Sequence, residues 1–347
     1  MSPSLPVFDS TVDLLEYALN NLDLVDLLYP LEKTTSFEVR TEFLNSYPHK
    51  DATSPVGAVI GLEVQESGLF VIRSLSYAGT LYPRAQIPER IASVTVLGIV
   101  AYVTVATHAF YLHYSSSARV VSLSASLLSM THPVRQILMP TEIGAPNSLA
   151  RGVHSLLGED GFFVQTLPFT YEGLRTMLQE YVPVQTFPPA THRIGSDYHQ
   201  WWTYLDHHMS RVVEALYPPG AILDPAVQSW LTALHEEVDR AGLVRVLVSG
   251  FMIQVRHNFL SNRIVGHLRR FVYILDPREV PVSTAFVTLL NNESTSRRWV
   301  PLTRNFSANV DHPAARSVMQ AFYTGMQDLY VQHPLAQPQE IEASTGM

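Results

Sequence analysis

The sequence predicts a mainly α-helical fold around a long buried central helix, with a small β-hairpin element near the N-terminus. Three stretches carry that prediction. Residues 91–113, IASVTVLGIVAYVTVATHAFYLH, contain no Asp, Glu, Lys or Arg. They are apolar on every side, so a helix made from them has to be surrounded. Residues 243–259 are almost wholly apolar up to Arg256 and define a second buried helix. Residues 56–77 hold two runs, VGAVIGLEV and LFVIRSLSY, flanking Gln65-Glu66-Ser67-Gly68, the pattern of a hairpin or a pair of short strands. The stretch 91–113 is long enough to span a bilayer. Its flanks, however, are mixed, charged and loop-rich, with no Lys/Arg cluster to set a topology. The buried-core reading is therefore preferred.

Taken in order, residues 9–29 open with Asp9 and Ser10 as cap candidates and carry leucines at helical spacing until Pro30, an amphipathic packing helix. Pro88 falls near the first turn of the central helix. Beyond His113, YSSSARVVSLSASLLSM is rich in small residues and continues as a closely packed helix that His132-Pro133 ends. Residues 134–139 are a short apolar piece, and Asn147-Ser148-Leu149-Ala150-Arg151 restarts a helix towards Leu157. Residues 169–181 form an amphipathic helix closed by Pro183. The proline-rich connection 182–189 is the candidate hinge between sub-halves 1–182 and 190–335 of a single domain. Residues 197–217 and 224–241 each begin at an aspartate cap, Asp197 and Asp224, and pair across Pro218-Pro219-Gly220. Residues 281–291 and 314–331 supply the last helices, and residues 335–347 a flexible tail.

At 347 residues and 46% hydrophobic, the chain has ample material for a core and fits no disordered class. A formal charge of -8 with 23 basic residues lacks the positive field that nucleic acids or anionic membranes require, so both partners are discounted. Cysteine is absent, which excludes disulfides, thiolate metal sites and a cysteine nucleophile. The opening MSPSLPVFDS has no basic region followed by an apolar one. No signal peptide is expected, and the protein reads as cytoplasmic, without transmembrane anchoring. There is no glycine-rich phosphate loop, Gly-x-Ser-x-Gly elbow, His-Glu-x-x-His motif or aspartate-rich diphosphate cluster. Those absences argue against nucleotide-driven chemistry, serine hydrolysis and ionising terpene cyclisation. An apolar cavity around a metal remains.

The histidines are the chemical candidates. His108 and His113 form a His-x-x-x-x-His pair at the end of the central stretch. Five residues on a regular α-helix advance about 500°, leaving the side chains about 140° apart. The two imidazoles reach one ion only where the helix carries a π-bulge or a local widening, a feature that tends to mark function. The competing reading makes both of them satisfied core or helix-end residues. His257 ends the second apolar helix, where an unpaired imidazole is costly to bury. Ser261, four residues on, lies about 40° round an α-helix, and Asn262, five on, needs another bulge. Three neutral imidazoles with one or two oxygen donors from Ser261 and Asn262 suit iron or manganese as well as zinc. His199, His207, His208 and His235 lie on amphipathic helices and read as solvated, and His132 before Pro133 reads as a turn residue.

In chain order these residues resemble the catalytic domain of the lipoxygenases, over nearly the whole chain. GAVIGLEV…LFVIRSLSYAGTLYP…IPERIASVTVLGIVAYVTV is similar to the family's strands, loop and central helix. His108-Ala109-Phe110-Tyr111-Leu112-His113 falls where the family has its first two iron-binding histidines. THPVRQILMP, residues 131–140, followed by Asn147-Ser148-Leu149-Ala150-Arg151, looks like the family's His-Pro-x-x-x-Leu-Leu-x-Pro and Asn-x-Leu-Ala-Arg run, the most specific match. VSGFMIQVRHNFLSN places His257 as the third histidine, Ser261 at the family's asparagine-like position and Asn262 as a shifted substitute. A second register, with Thr107-His108-Ala109 at the second family histidine and Val103 at the first, needs a longer insertion. The chain departs from the pattern in leaving no room for the amino-terminal β-barrel and in the apolar residues 100–106 where polar ones are expected. It also ends in Thr345-Gly346-Met347, where the family closes its iron shell with a carboxyl-terminal isoleucine. Glu340, Glu342 or water then substitutes, or the shell is incomplete and the metal absent.

The resemblance implies a non-haem iron or manganese oxygenase that abstracts hydrogen from a bis-allylic or comparably activated carbon and lets dioxygen trap the radical. His108, His113 and His257 would be its catalytic metal ligands. Sparse polar lining and long apolar helices predict an elongated pocket for a polyunsaturated substrate, whether fatty acid, polyketide or terpenoid, in specialised metabolism. Two other readings keep the pocket and drop the metal: a cyclase that folds a polyene by proximity and hydrogen bonding, and an apolar-ligand carrier.

Overall fold

A computed structural model of the chain describes residues 8–24, 26–31, 35–51, 53–142, 157–181, 193–256 and 305–332. The helix expected to restart at Asn147, the hinge at 182–189, the helix at 281–291 and the tail at 335–347 lie outside the described residues. The expected architecture holds: a mainly helical domain with a small antiparallel sheet near the N-terminus.

Helix α1 (Thr11–Asn21) starts at Ser10, whose side chain accepts a hydrogen bond from the Asp13 N–H, and stops where Leu22 turns extended. It therefore ends well short of Tyr29, the expected terminus. The cause is tertiary. Asp23 and Asp26 are drawn inward to Arg256, and β1 (Leu28–Pro30) pairs with β2 (Ser36–Arg40) instead of continuing a helix. Strands β3 (Val59–Val64), β4 (Phe70–Tyr77) and β5 (Thr80–Pro83) complete an antiparallel meander in the order β1-β2-β3-β4-β5. The expected hairpin is its centre. Alternation at period two buries Phe37, Val39, Ile60, Leu62 and Ile72 on one face. Asn20 fastens α1 to that sheet, its Nδ2 donating to the Phe70 carbonyl (2.9 Å) while its Oδ1 accepts from the Phe70 N–H (2.8 Å).

Helix α2 (Glu89–Ala101) follows Pro88 at the N-cap, passes directly into a π-helix (Tyr102–Ser117) and leaves it as α3 (Ala118–Leu127). The run Glu89–Leu112 is long and apolar enough to cross a membrane by length and composition, but 78% of its most apolar window is buried within the fold. Val96, Ile99, Val100, Val103 and Val105 are wholly buried. Gly98 lets this helix approach the loop before β3 closely, because a Cβ there would overlap the Val56 carbonyl oxygen.

Helix α3 ends before His132-Pro133, and that dipeptide opens the next helix rather than closing the last. Pro133 is the first residue of α4 (Pro133–Glu142), where its missing N–H is no loss. His132 accepts the Val134 N–H at Nδ1 (3.2 Å), which leaves Nε2 to donate to Asp224 (3.1 Å). Helices α5 (Phe162–Thr166) and α6 (Tyr171–Glu180) follow, α6 capped by Thr170.

In the second half α7 (Arg193–Leu216) is already running at Asp197, so that aspartate is not its cap. Asp224 does cap α8 (Pro225–Leu234), accepting from the Ala226 and Val227 N–H groups. The expected single helix to Ala241 is two, because His235 adopts the left-handed conformation (φ 62°) and Asp239 caps α9 (Arg240–Val255). The last helix, α10 (Pro313–Gln332), matches its expected span closely. Among the described residues two large hydrophobic clusters result, beside a small one of Tyr111, Leu112 and Ile253. One large cluster joins α1, the sheet, α2 and the first part of the π-helix; the other joins α4 and α7 to α10 around Trp201, Trp230 and Phe251.

Substituting Gly98→Val should cost about 2 kcal/mol or more, since neither the helix nor the Val56 carbonyl has a flexible end to move. Urea denaturation measures it, and an unchanged midpoint would contradict the close approach.

Candidate metal centre

The position expected for the first two ligands coincides with a change of helix type. The backbones of residues 108 and 113 both lie in the π-helix. Its i→i+5 hydrogen bonds widen the turn, so positions five apart follow one another by about one turn, where an α-helix would separate them by about 140°. His108 is buried at 8% exposure, beside the wholly buried Thr107. The His113 side chain, and all of His257, Ser261 and Asn262, lie outside the described residues. Among the described residues no three His, Cys, Asp or Glu side chains form a set able to hold a metal.

Of the expected ligands, the structure describes the side chain of His108 alone. A buried imidazole on a widened helix, in apolar surroundings that exclude water, suits a divalent ion of borderline softness. Neutral imidazole is the ligating form.

Next to this position lies a cluster of charged side chains that the sequence reading took for parts of packing helices. Arg256 follows α9 directly and keeps only 7% side-chain exposure. Its Nε donates to Asp23 Oδ2 at 3.0 Å, and its Nη2 stands 3.7 Å from Asp26 Oδ2. The guanidinium also lies 5.7 Å from the centroid of the Tyr111 ring. Asp26 Oδ2 accepts from Tyr181 Oη at 2.5 Å and from Thr107 Oγ1 at 3.1 Å. Asp26 Oδ1, by contrast, is buried without a hydrogen-bond partner among the described residues. Tyr181 closes the cluster with its ring against Tyr102, Phe110 and Tyr111 of the π-helix.

The electrostatics follow from burial. Burial opposes the charge on Arg256, but Asp23, Tyr198 and Asp26 hold its pKa well above the ordinary value, so it stays a cation. Burial pushes the Asp26 pKa up, with Asp23 adding to the rise. Arg256 and the hydrogen bonds from Tyr181 and Thr107 only partly offset it. Tyr102 and Tyr181 are pushed up as well, first by burial and then by Asp26, and remain neutral phenols.

The remaining histidines divide. His199, His207 and His235 are exposed, as expected. His208 is half-buried against Tyr204 and Phe322, and its Nδ1 is buried without a partner among the described residues. Burial, then His207 and Arg211, push its pKa down to about 4. His132 is a helix-capping residue tied to Asp224, which also accepts from Tyr217 Oη at 2.5 Å.

Comparison with known proteins agrees on the fold. No family model and no curated protein sequence matches the chain. Solved lipoxygenase structures do. A lipoxygenase crystallised with arachidonate (Delta413-417:GS) superposes with a TM-score of 0.69 at 12% identity, covering 96% of this chain and 65% of that one. Coral 8R-lipoxygenase gives a TM-score of 0.69 at 13% identity, covering 94% and 66%. The manganese lipoxygenase of Gaeumannomyces graminis gives 0.59 at 15% identity, covering 95% and 69%. The chain spans less than two thirds of the length of the first two. It therefore has a lipoxygenase-like fold.

Two measurements test the electrostatics. Arg256→Met should destabilise by about 3–5 kcal/mol by removing the cation beside buried Asp23 and Asp26, and adding Asp26→Asn should restore part of the loss. Additive losses in the double variant would contradict the coupling. His208 has a folded pKa of about 4, below its ordinary 6.5, so the unfolded chain takes up the proton first. Its contribution to stability is complete above about pH 6.5 and falls as the pH drops towards 4. His208→Gln should flatten the slope of the urea midpoint between pH 7 and pH 5, and an unaltered slope would argue against the burial.

Proposed function

We propose that the protein is a compact lipoxygenase-like oxygenase of polyunsaturated apolar substrates, using a non-haem iron or manganese. The observation that supports it most is the π-helix from Tyr102 to Ser117, because a His-x-x-x-x-His pair needs a widened helix to serve one ion. The lipoxygenase-like fold supports the reaction class, and the neighbour crystallised with arachidonate supports a fatty-acid kind of substrate. Polyketide and terpenoid chains carry the same activated C–H bonds and belong to the proposal.

His108, His113 and His257 would hold the metal, with Ser261 or Asn262 as an oxygen donor. When bound, such a metal supplies one-electron redox chemistry. The chain's own contribution is to exclude water and orient. Tyr111 and Leu112 of the π-helix and Ile253 of α9 form one small buried apolar cluster, surroundings that would suit a hydrocarbon chain. The net reaction is insertion of dioxygen into a C–H bond: hydrogen leaves a carbon between two double bonds, dioxygen adds to the resulting carbon radical, and the electron and proton return to the peroxyl group to give a hydroperoxide.

Protein purified without chelator should contain about one iron or manganese per chain by elemental analysis, and His108→Ala and His257→Ala should each lose it. Oxygen uptake with linoleate or another polyene then tests the reaction. Conversion that survives both substitutions and the absence of oxygen would overturn the proposal in favour of a metal-free cyclase.

A further inference from the structure

Asp26 presents a problem that stability does not solve. Asp23 alone, at 3.0 Å, neutralises Arg256. A second buried carboxylate beside the pair adds a desolvation cost and gains only a 3.7 Å contact with the guanidinium. One of its oxygens has no hydrogen-bond partner among the described residues. What Asp26 does gain is connection. Its Oδ2 accepts hydrogen bonds from Thr107 in the π-helix and Tyr181 after α6, and stands within ion-pair distance, 3.7 Å, of Arg256 after α9. Thr107 immediately precedes His108, and Arg256 immediately precedes His257. One carboxylate oxygen thus joins the two chain positions next to two of the ligands proposed above.

We propose that Asp26 is a positioning residue for the metal centre, fixing through Thr107 and Arg256 the separation of the two chain segments that carry His108 and His257. This rests on the metal-binding reading and deepens it. Thr107 is one peptide unit from His108, so a shift of the carboxylate passes to the backbone of that ligand. Tyr181 limits such a shift, because its phenol holds Oδ2 at 2.5 Å while its ring is braced by Tyr102, Phe110 and Tyr111. Groups that orient ligands from outside the coordination shell typically change metal affinity by about 10–100-fold when removed.

The test titrates metal-free full-length protein with Mn(II), reading affinity by isothermal titration and site geometry by the electron paramagnetic resonance of the bound ion. The wild type, Asp26→Asn, Thr107→Val and His108→Ala are compared, with thermal melts of the metal-free proteins beside them. Asp26→Asn keeps the shape and an acceptor, and Thr107→Val removes only the hydroxyl that ties the π-helix to Asp26. The proposal expects Mn(II) to bind about 10–100-fold more weakly to Asp26→Asn and about tenfold more weakly to Thr107→Val. It also expects an altered resonance in both and metal-free melts close to wild type. His108→Ala should abolish binding. Affinity and resonance unchanged in Thr107→Val and in any folded Asp26→Asn overturn the positioning role and leave the metal reading intact. Should the wild type bind Mn(II) no better than His108→Ala, the metal reading fails and the positioning role with it.

Discussion

Arg256 carries a permanent charge into a place where water does not reach. An isolated guanidinium there would cost several kcal/mol in lost hydration. The chain meets the requirement by bringing Asp23 inward from the segment after α1 to 3.0 Å, with Asp26 following at 3.7 Å. Their neighbours Leu22, Leu24 and Leu27 belong to the first hydrophobic cluster, whereas Val255, next to Arg256, belongs to the second. The ion cluster therefore joins the two cores, and its demand for carboxylates explains why α1 breaks at Asn21 and the following segment turns inward before β1.

The same cluster touches the widened stretch of the central helix. A π-helix is rare, usually confined to a single turn, and found mostly at functional sites. Here it extends from Tyr102 to Ser117 and includes Thr107, His108 and Tyr111. Each of these has a part in the candidate site: Thr107 bonds Asp26, Tyr111 lies under the Arg256 guanidinium, and His108 is the buried imidazole. Polar and apolar functions thus share one helix, with the ion cluster and the aromatic ring of Tyr181 against it.

Much of the scaffold was legible in the sequence because hydrophobic pattern decides it. The apolar run 91–113 reads as surrounded, and it is; the alternating runs of 56–77 read as strands, and they pair. Where the reading failed, long-range partners overrode local signals. The leucine spacing of residues 9–29 is helical throughout, yet β2 pairs with Leu28–Pro30 and Arg256 attracts the two aspartates. His235 carries no breaker chemistry, yet its left-handed backbone divides one expected helix into two. The ion cluster did leave a trace: Asp23 and Asp26 among leucines, and Arg256 at the end of a largely apolar stretch, are charges that burial obliges to pair. What sequence does not disclose is which aspartate meets which arginine across 233 positions. That a shared ion at His108 and His113 would require a widened helix followed from their spacing; that they share one did not. The length of that widening did not follow either, because periodicity at 3.6 residues and at a wider turn look alike in a segment apolar on all sides.

The account stands on the convergence of His108, His113 and His257 on one ion. Crystals grown with manganese and measured on both sides of the manganese absorption edge locate that ion directly, independent of activity. The account predicts a single strong anomalous peak within bonding distance of all three imidazoles, on the side of the π-helix that faces α9. A peak elsewhere, or three imidazoles directed to separate places with no ion between them, would contradict it.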